Sequence, residues 1–343
     1  MNKIAIIGAT GYTGSELVRI LSFHQHIRIE LITSETYQGK KFSEIHPQFT
    51  GICDTILGSA EDIDSYNPDL VFLALPHGVS MKFVSKWQNK PFKIIDLSGD
   101  FRLDSPDSYA QWYQQEHTYP EGFNEAVFGL PELYRKEIVQ SRLVANPGCF
   151  PTGAILGAYP LLKEHWVMNE RIFVDSKTGV TGAGVKAKAV THFPNVNDNF
   201  KPYGIGRHRH TIEIQEVLAK SSGNQARIQF TPHLLPVDRG ILTSIYAIPT
   251  RNISQQDLSG LFQRYYKEEP FIRLRKNAPE IKQVRGTNFT DIYPFFDERT
   301  QNILIFAAID NLVKGAAGQA VQNMNLMLGF NEQEALNAIP LMP

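Results

Sequence analysis

The sequence predicts an α/β protein whose first half forms a parallel sheet covered by helices. The chain opens with a short apolar run, a glycine-rich turn and a segment with helical spacing of apolar residues. Two later runs, 69–78 and 92–103, are apolar without alternation, as expected for strands that are buried on both faces. The composition, 42% hydrophobic and 20% charged over 343 residues, is globular and long enough for two domains.

The opening segment, KIAIIGATGYTGSELVRIL, is predicted to form a strand, a tight turn and a helix. Gly8 would allow the sharp exit from the strand, Gly11 the approach of backbone to a pyrophosphate, and Gly14 close helix–strand packing. The spacing G-x-x-G-x-x-G is looser than the usual fingerprint, and a glycine turn without a ligand is the alternative. We predict a Rossmann domain in which the helix N-terminus faces the phosphates. The turn residues expected to bind the dinucleotide are Gly8, Thr10, Gly11, Tyr12, Thr13 and Gly14.

The second predicted strand, IRIELITS, bears on the choice of cofactor. A site that prefers NAD usually ends this strand with an acid that bonds the ribose 2′-hydroxyl. Here the strand ends in Thr33 and Ser34, and Glu30 falls earlier inside it. Small hydroxyls leave room for a 2′-phosphate, so we predict NADP as the cofactor, with Ser34 among its contacts.

The carboxyl ends of the next two strands are expected to line the cofactor crevice. The residues placed there are Pro76, His77, Gly78 and Ser98. A turn or packing role is the alternative for His77. Arg102 follows the second of these turns, where its planar guanidinium could clamp an anionic substrate. A salt bridge to Asp100 or Asp104 is the alternative.

The segment ANPGCFPTG places Cys149 at or just before a helix predicted from about Thr152. The helix dipole and its free N–H groups would stabilise a thiolate there and lower the thiol pKa. The same N–H groups could form an oxyanion hole for an acyl group. A buried structural cysteine is the alternative, although the flanking prolines indicate a turn of fixed exposure. Cys53 has no such setting, and we interpret it as a packing residue.

The segment YGIGRHRHTIEIQEVL carries the predicted partners of this thiol. His208 and His210 would share one face if 207–210 is extended. Glu213, on a helix starting near Thr211, could orient an imidazole as the third member of a catalytic group does. We predict His210 as the acid/base and His208 as a substrate contact, and the reverse assignment stays open. Arg207 suits an anionic substrate.

A glycine-rich stretch, DSKTGVTGAGVKAK, is predicted to form a flexible polar loop after the strand RIFVD. Ser176, Gly179 and Gly182 could hold a phosphate or the nicotinamide there, and Lys186 adds positive charge. An ordinary glycine-rich turn is the alternative. Near the end of the chain, apolar residues of 313–328 recur with helical spacing, and small residues at 315–318 would let this helix lie close against another element.

Composition also excludes several classes of protein. A formal net charge of −1 argues against nucleic acid or an anionic membrane as the main partner. No stretch reaches the roughly 18 apolar residues of a membrane span, and no cleavage site follows the first apolar run, so we predict no signal peptide. Two distant cysteines do not make a disulfide framework. We therefore predict a cytoplasmic protein with reduced thiols and no metal site.

Five segments in this order resemble the N-acetyl-γ-glutamyl-phosphate reductases, relatives of aspartate-semialdehyde dehydrogenase: GATGYTG, NPGCFPTG, SKTGVTGAG, RHRHTIEI and DNLVKGAAGQAVQNMN. The resemblance runs from Lys3 to about Phe330. It implies an NADP-binding Rossmann domain over 1–147 with 314–343, its last helix returning from the second domain. It implies a catalytic, α+β substrate and oligomerisation domain with a mixed sheet over 148–313, and a homo-oligomer, either dimer or tetramer.

Carried over to individual residues, the resemblance makes Cys149 the nucleophile, places the paired histidines beside it and puts Asn311 near the nicotinamide. The implied substrate contacts are Arg102, Asn146, Lys186 and Arg207. The implied reaction is NADPH-dependent reductive dephosphorylation of N-acetyl-γ-glutamyl phosphate to N-acetylglutamate 5-semialdehyde through a cysteine thioester, in arginine biosynthesis. Reduction of aspartyl or aminoadipyl phosphate, a Cys–His hydrolase with an idle nucleotide fold, and a dinucleotide-sensing regulator are the alternatives.

Overall fold

A computed structural model describes residues 1–342, which divide into two compact units. The first unit comprises Met1–Pro147 and Ala316–Asn337, and the second comprises Gly148–Gly315 with residues 338–342. Each unit is built around its own β-sheet.

The strands are β1 Asn2–Ile7, β2 Ile27–Ile32, β3 Leu70–Leu73, β4 Lys93–Asp96, β5 Val127–Phe128, β6 Leu143–Ala145, β7 Val167–Thr178, β8 Lys201–Pro202, β9 Ile228–Leu234, β10 Ile241–Pro249, β11 Ile272–Leu274, β12 Thr290–Asp297 and β13 Asn302–Ile309. The α-helices are α1 Tyr12–Leu21, α2 Phe42–Ile45, α3 Ile63–Tyr66, α4 Ser80–Lys86, α5 Pro106–Tyr113, α6 Gly122–Glu125, α7 Pro131–Gln140, α8 Cys149–Lys163, α9 Phe193–Val196, α10 His210–Ser222, α11 Gln255–Tyr266 and α12 Gly318–Leu328. A π-helix, Val313–Ala317, directly precedes α12.

The first sheet has the order β2-β1-β3-β4-β6-β5, and its neighbouring strands pair in parallel. Every residue of β3 is buried, as expected for a strand with helices on both faces of its sheet. Chain order reverses between β1 and β3, and ligands of open α/β sheets bind outside the carboxyl ends of strands at such a switch point. The predicted Rossmann architecture is confirmed.

The C-terminal helix α12 packs in the first unit, against α7 and α1. More of α12 is buried than the predicted apolar stripe, because polar side chains of this helix are buried as well. Among them, the Asn323 amide donates hydrogen bonds to the carbonyl of Gly129 at 2.8 Å and to Oδ1 of Asn146 at 3.1 Å. These two acceptors allow the side-chain N–H groups of Asn323 to be buried. The segment also does not begin as a regular α-helix at 313, since it opens with the π-helix.

The second sheet has the order β11-β12-β13-β10-β7-β9-β8 and mixes parallel with antiparallel pairs, which confirms the predicted mixed sheet. Helix α8 packs against β10, β13 and β7, and α10 and α11 lie against α8. Almost every residue of α8 from Phe150 to Leu162 is buried. A Cβ at Gly157 would lie 2.6 Å from Cδ1 of Ile245, so this glycine sets how closely α8 approaches the sheet.

The other side of the second sheet carries large apolar side chains, here named the aromatic face. It consists of Phe173, Tyr246, Leu304, Phe306, Tyr293 and Phe295. Tyr246 pairs with Phe173 on one neighbouring strand and with Leu304 on the other, so these side chains form a row across the sheet. Phe173 is 47% exposed and Tyr246 is 41% exposed, which is unusual for side chains of this size. Among residues 1–342, no helix has the length and apolar character needed to cross a membrane.

Candidate active site

The glycine turn after β1 has the shape of a dinucleotide cradle. Gly8 has a φ of +88°, and a Cβ there would lie 2.5 Å from the carbonyl oxygen of Ala74. A Cβ on Gly14 would lie 2.4 Å from the carbonyl oxygen of Gly8, so α1 meets the turn at backbone contact. At Gly11 the nearest such atom is 3.9 Å away, which leaves space above the turn. The residues present therefore fit a bound pyrophosphate at the N-terminus of α1.

Hydroxyl groups gather where β2 ends, beside this turn. The Thr33 hydroxyl accepts a hydrogen bond from the Gly8 N–H at 3.2 Å, and the Ser34 hydroxyl lies 3.0 Å from that of Thr10. Glu30 lies inside the strand and pairs with Arg28. This arrangement suits the 2′-phosphate of NADP, because hydroxyls can donate to phosphate oxygens.

Asp100 anchors the turn that follows β3. Its carboxylate accepts the backbone N–H groups of Gly78 at 2.7 Å and Met81 at 3.0 Å, and the Tyr109 hydroxyl at 3.0 Å. Asp100 has no exposed surface. A buried carboxylate is tolerated where several donors satisfy it. The bond from the Gly78 N–H to Asp100 holds this predicted cofactor residue in place.

Asp96 performs a similar task where β4 ends. It accepts the N–H of Ser98 at 2.9 Å and the Ser98 hydroxyl at 2.8 Å. Burial, and secondly the charge of Asp100, raise the pKa of Asp96 to about 7. The Gly99 N–H donates to Nδ1 of His77 at 2.7 Å, which joins the two turns. Neither carboxylate was predicted as an anchor, although Asp96, an acid that ends an apolar strand, carried a signal for this role.

Arg102 and Asn146, two predicted substrate contacts, are buried and engaged with neighbouring groups. Arg102 Nε donates to the carbonyl of Asn146 and Nη2 to that of Leu97, both at 2.7 Å. The Asn146 side-chain amide donates to the carbonyl of Ala316 at 3.1 Å. The guanidinium therefore braces backbone carbonyls, and the substrate roles of both residues stay predictions.

Cys149 is the first residue of α8, so the helix begins three residues earlier than Thr152, where it was predicted to start. As a residue, Cys149 is partly exposed. The N–H of Gly148, the N-cap residue, donates to Oε1 of the fully buried Glu213 at 2.7 Å. That N–H is thus excluded from the predicted oxyanion hole, and Glu213 instead fixes the start of α8 against α10.

The paired histidines come together through a turn. Gly204 and Gly206 have φ values of +60° and +69°, and the chain turns there before α10, so the extended conformation that would have placed His208 and His210 on one face does not form. The rings of His208 and His210 nevertheless lie edge to face with centroids 4.8 Å apart. Left-handed glycines reverse the chain and bring alternate side chains together without an extended strand.

His208 has a defined protonation state. Its Nδ1 accepts the backbone N–H of His210 at 3.2 Å. Burial, and secondly the charge of Arg209, lower the pKa of His208 to about 4. At neutral pH the ring is therefore uncharged, and because Nδ1 is an acceptor its proton resides on Nε2.

His210, the first residue of α10, lies against the peptide that precedes the thiol. A Cβ at Gly148 would lie 2.4 Å from Nε2 of His210, so the absence of a side chain admits the imidazole. The same Nε2 lies 3.9 Å from Oε2 of Glu213. The structure thus brings Cys149, His210 and Glu213 together, all within the second unit.

Two aromatic residues that the sequence analysis did not select complete the surroundings. The ring of Phe150 lies 5.5 Å from that of His208 and 5.8 Å from that of His210, both edge to face. The ring of Tyr203 lies 5.5 Å from that of His208. Burial, and secondly the charge of Cys149, raise the pKa of Tyr203, so its hydroxyl stays protonated. In the sequence, the position of Tyr203 one residue before Gly204 was the feature that could have indicated its place beside the histidines.

The predicted loop at 175–188 begins later than expected. Strand β7 continues to Thr178, because β9 and β10 both pair with it as far as that residue. Ser176 is consequently fully buried, and its hydroxyl lies 2.9 Å from that of Thr243. Placing Ser176 in a flexible cofactor-binding loop was wrong, since this serine fills the sheet interior against α8.

The turn after β7 brings Gly182 close to Asn311. Asn311 Nδ2 donates to the Thr181 hydroxyl at 2.9 Å, and Oδ1 accepts the Gly240 N–H at 2.8 Å. A Cβ at Gly182 would lie 3.9 Å from Nδ2 of Asn311, and one at Gly179 would lie 2.6 Å from the carbonyl oxygen of Asp238. Three predicted positions, Gly182, Lys186 and Arg207, are exposed.

The sequence and the fold are those of a semialdehyde dehydrogenase. A semialdehyde dehydrogenase NAD binding domain model matches residues 3–141, and a semialdehyde dehydrogenase dimerisation domain model matches residues 149–311. The fold agrees with aspartate semialdehyde dehydrogenase II of Vibrio cholerae complexed with ASA, at TM-score 0.72, 17% identity and coverage of 96% and 98% of the two chains. It agrees equally with Candida albicans aspartate semialdehyde dehydrogenase with NADP, at TM-score 0.72, 14% identity and the same coverage.

Curated proteins that match this chain over its full length share one name. N-acetyl-gamma-glutamyl-phosphate reductases of Desulfotalea psychrophila, Methanocaldococcus jannaschii and Alkaliphilus metalliredigens are 48%, 46% and 44% identical to this chain, with 100% of each chain covered. The chain belongs to the N-acetyl-γ-glutamyl-phosphate reductase family. It is accordingly an oxidoreductase with an NAD binding domain and a dimerisation domain.

Proposed function

We propose that this protein reduces N-acetyl-γ-glutamyl phosphate to N-acetylglutamate 5-semialdehyde with NADPH, in arginine biosynthesis. The observation that carries the proposal is the partly exposed Cys149 at the start of α8, with His210 and Glu213 against Gly148. The proposed cofactor domain is 1–147 with 314–343, and the proposed catalytic domain is 148–313. The two compact units differ from these bounds in that residues 314–315 and 338–342 belong to the second unit. This chain is up to 48% identical to full-length N-acetyl-gamma-glutamyl-phosphate reductases, which supports N-acetyl-γ-glutamyl phosphate rather than aspartyl phosphate as the substrate.

The proposed NADP contacts begin with the glycine turn and the hydroxyls beside it. The first set is Gly8, Thr10, Gly11, Tyr12, Thr13, Gly14 and Ser34. The second set, expected nearer the nicotinamide, is Pro76, His77, Gly78, Ser98, Gly179, Gly182 and Asn311. When bound, NADPH supplies the hydride that reduces an acyl thioester to an aldehyde.

Cys149 would act as the nucleophile on the acyl carbon. The N-terminus of α8 stabilises its thiolate, which attacks the carbonyl carbon and forms the C–S bond. The C–O bond to the phosphate group then breaks, and phosphate departs with the electron pair. Because the Gly148 N–H is engaged and Pro151 has none, the oxyanion donors on α8 would be the N–H groups of Cys149 and Phe150.

His210 would manage the protons. It accepts the thiol proton before acylation and returns it to the sulfur when the C–S bond breaks after reduction. His208, neutral with its proton on Nε2, would donate a hydrogen bond to the substrate. Lys186 and Arg207 are exposed cations that could meet the phosphate and the α-carboxylate. The reverse assignment of the histidines would leave the acid/base with a pKa of about 4, too low for work near neutrality.

The substrate is tested in the reverse direction, by NADP reduction in the presence of phosphate. We expect kcat/KM for N-acetylglutamate semialdehyde to exceed that for aspartate semialdehyde by about 100-fold or more, because a site built for the acetamido group leaves polar atoms unpaired with the smaller substrate. Omitting phosphate should abolish the reaction with either aldehyde. A preference for aspartate semialdehyde would contradict the proposed substrate, and NADP reduction without phosphate would contradict acyl-phosphate chemistry.

We further propose that the aromatic face is the contact between two copies of the chain. The family's dimerisation domain covers 149–311, which includes this face, and rows of exposed aromatic side chains on a sheet are normally covered by a partner.

We expect Tyr246→Asp to convert the dimer to a monomer, measured by sedimentation velocity, since a stable interface of about 800 Å² per partner cannot bury an unpaired charge. The matched control Arg251→Asp, beyond the end of β10, should stay dimeric. A wild-type monomer, or a dimeric Tyr246→Asp, would refute this interface.

We place the reaction in the cytoplasm. Cys53 and Cys149 are both free thiols, and the proposed nucleophile needs a reduced sulfur, which a reducing compartment maintains.

A further inference from the structure

Gly315 lies directly against Cys149. A Cβ built on Gly315 would lie 2.8 Å from Cβ of Cys149 and 3.2 Å from its Cα. Non-bonded carbon atoms prefer separations of about 3.5–4.0 Å, so no side chain fits between these two residues. The small residue predicted to allow close packing near 315–318 therefore has a definite neighbour, which is the proposed nucleophile.

The backbone at Gly315 is held from behind. Its N–H donates to the carbonyl of Asp310 at 2.9 Å, in the π-helix. The fully buried Asp310 carboxylate accepts the N–H of Leu312 at 2.8 Å and that of Gly286 at 2.7 Å. A Cβ on Gly315 would also lie only 3.3 Å from the Asp310 carbonyl oxygen. Gly315 consequently cannot retreat from Cys149 without breaking these bonds. Single π-turns of this kind occur frequently at functional sites.

The backbone at Cys149 is held as well. The preceding N–H, of Gly148, donates to Glu213, and the Gly148 carbonyl accepts both the N–H and the hydroxyl of Thr152, at 3.3 and 3.1 Å. A methyl group on Gly315 would meet Cβ and Cα of Cys149, and rotation about the Cα–Cβ bond moves neither atom. The start of α8 must therefore shift, and it carries the Cys149 sulfur with it.

We propose that Gly315 is a positioning residue for Cys149: its bare Cα forms the surface against which the nucleophile's Cβ rests, and this contact determines where that Cβ, and the sulfur attached to it, lie. The proposal rests on the proposed function, in which that sulfur attacks an acyl carbon. A substitution of any size on Gly315 displaces the sulfur while leaving the cofactor cradle unchanged.

The test compares Gly315→Ala with Gly260→Ala, a control within α11 where an added Cβ meets nothing within 4 Å. We expect Gly315→Ala to lower kcat/KM on the order of 100-fold, mostly through kcat, as misplacement of a reacting group does. In the absence of any substrate, iodoacetamide should alkylate Cys149 about tenfold more slowly, because the shift at the start of α8 displaces the sulfur from its place at the helix N-terminus. Peptide mass spectrometry distinguishes Cys149 from Cys53. The NADPH dissociation constant should change less than about twofold, and Gly260→Ala should match the wild type in every assay.

Stability measurements keep the proposal falsifiable if Gly315→Ala folds poorly. Cys149→Gly removes the nearest of the three atoms in conflict, so Gly315→Ala should lower the melting temperature less in the Cys149→Gly background than in the wild type. An equal loss of melting temperature in both backgrounds would overturn the proposal, as would unchanged alkylation in a folded Gly315→Ala. Should the wild type lack acyl-phosphate activity, the alkylation comparison would still decide the role of Gly315 separately from the proposed function.

Discussion

Cys149→Ala is expected to lose turnover by about 10⁴-fold or more, because loss of a covalent nucleophile leaves only the binding and oxyanion contributions to catalysis. NADPH should still bind with an unchanged dissociation constant, since the glycine turn after β1 is untouched. The assays are NADPH oxidation with the acyl phosphate and, separately, the change in NADPH fluorescence on binding. A variant that binds NADPH normally but does not turn over assigns the loss to chemistry.

Cys53→Ala is the matched control for this experiment. Cys53 is 8% exposed, and its sulfur lies 3.8 Å from the Thr55 hydroxyl in the first unit, outside the proposed catalytic group. It should keep kcat within about threefold of the wild type. Near-normal reduction by Cys149→Ala would refute the nucleophile, and a comparable loss in Cys53→Ala would show that thiol removal damages the fold.

His210→Asn should lower kcat by about 10²–10⁴-fold, the usual contribution of a positioned acid/base. The His210 imidazole lies against the Gly148 peptide, next to the proposed nucleophile, and Nε2 lies 3.9 Å from the buried Glu213 carboxylate. In the proposed mechanism His210 is the group that moves the proton. His77→Asn should cost much less, because His77 accepts the Gly99 N–H through Nδ1 and an asparagine oxygen can accept in its place. The measurement is single-turnover acylation and reduction for each variant at saturating NADPH.

The pH profile of kcat/KM distinguishes His210 from His208. With its pKa lowered to about 4 by burial, His208 contributes no change in charge between pH 5 and 9, so a limb in that range must arise elsewhere. We expect His210→Asn to remove the limb assigned to the acid/base and His208→Asn to leave its midpoint in place while raising KM. Equal kinetic losses in the His210 and His77 variants, or a limb that disappears only with His208→Asn, would refute our assignment.

Local patterns in the sequence predicted most of the first unit. Unbroken apolar runs such as 69–78 arise because both faces of a parallel sheet are covered, and the glycine spacing follows from backbone contact at Gly8 and Gly14. Both signals lie within about twenty residues of chain. The site was harder to predict: Ser176 looked like a loop residue because β7 alone does not reveal that two strands pair with it up to Thr178.

The sequence was sufficient to select the groups that we propose as reactive: a thiol beside prolines at a helix start, and two imidazoles with a carboxylate three residues beyond the second. It also indicated the parallel sheet and the glycine turn, because unbroken apolar runs and glycine spacing are patterns among neighbouring residues. The contact of Glu213 with the Gly148 N–H and that of Gly315 with Cys149 became visible in the folded chain alone, since these pairs are far apart in the sequence. Such contacts are determined by how closely packed helices and sheets approach one another, and no local pattern of residues records that distance.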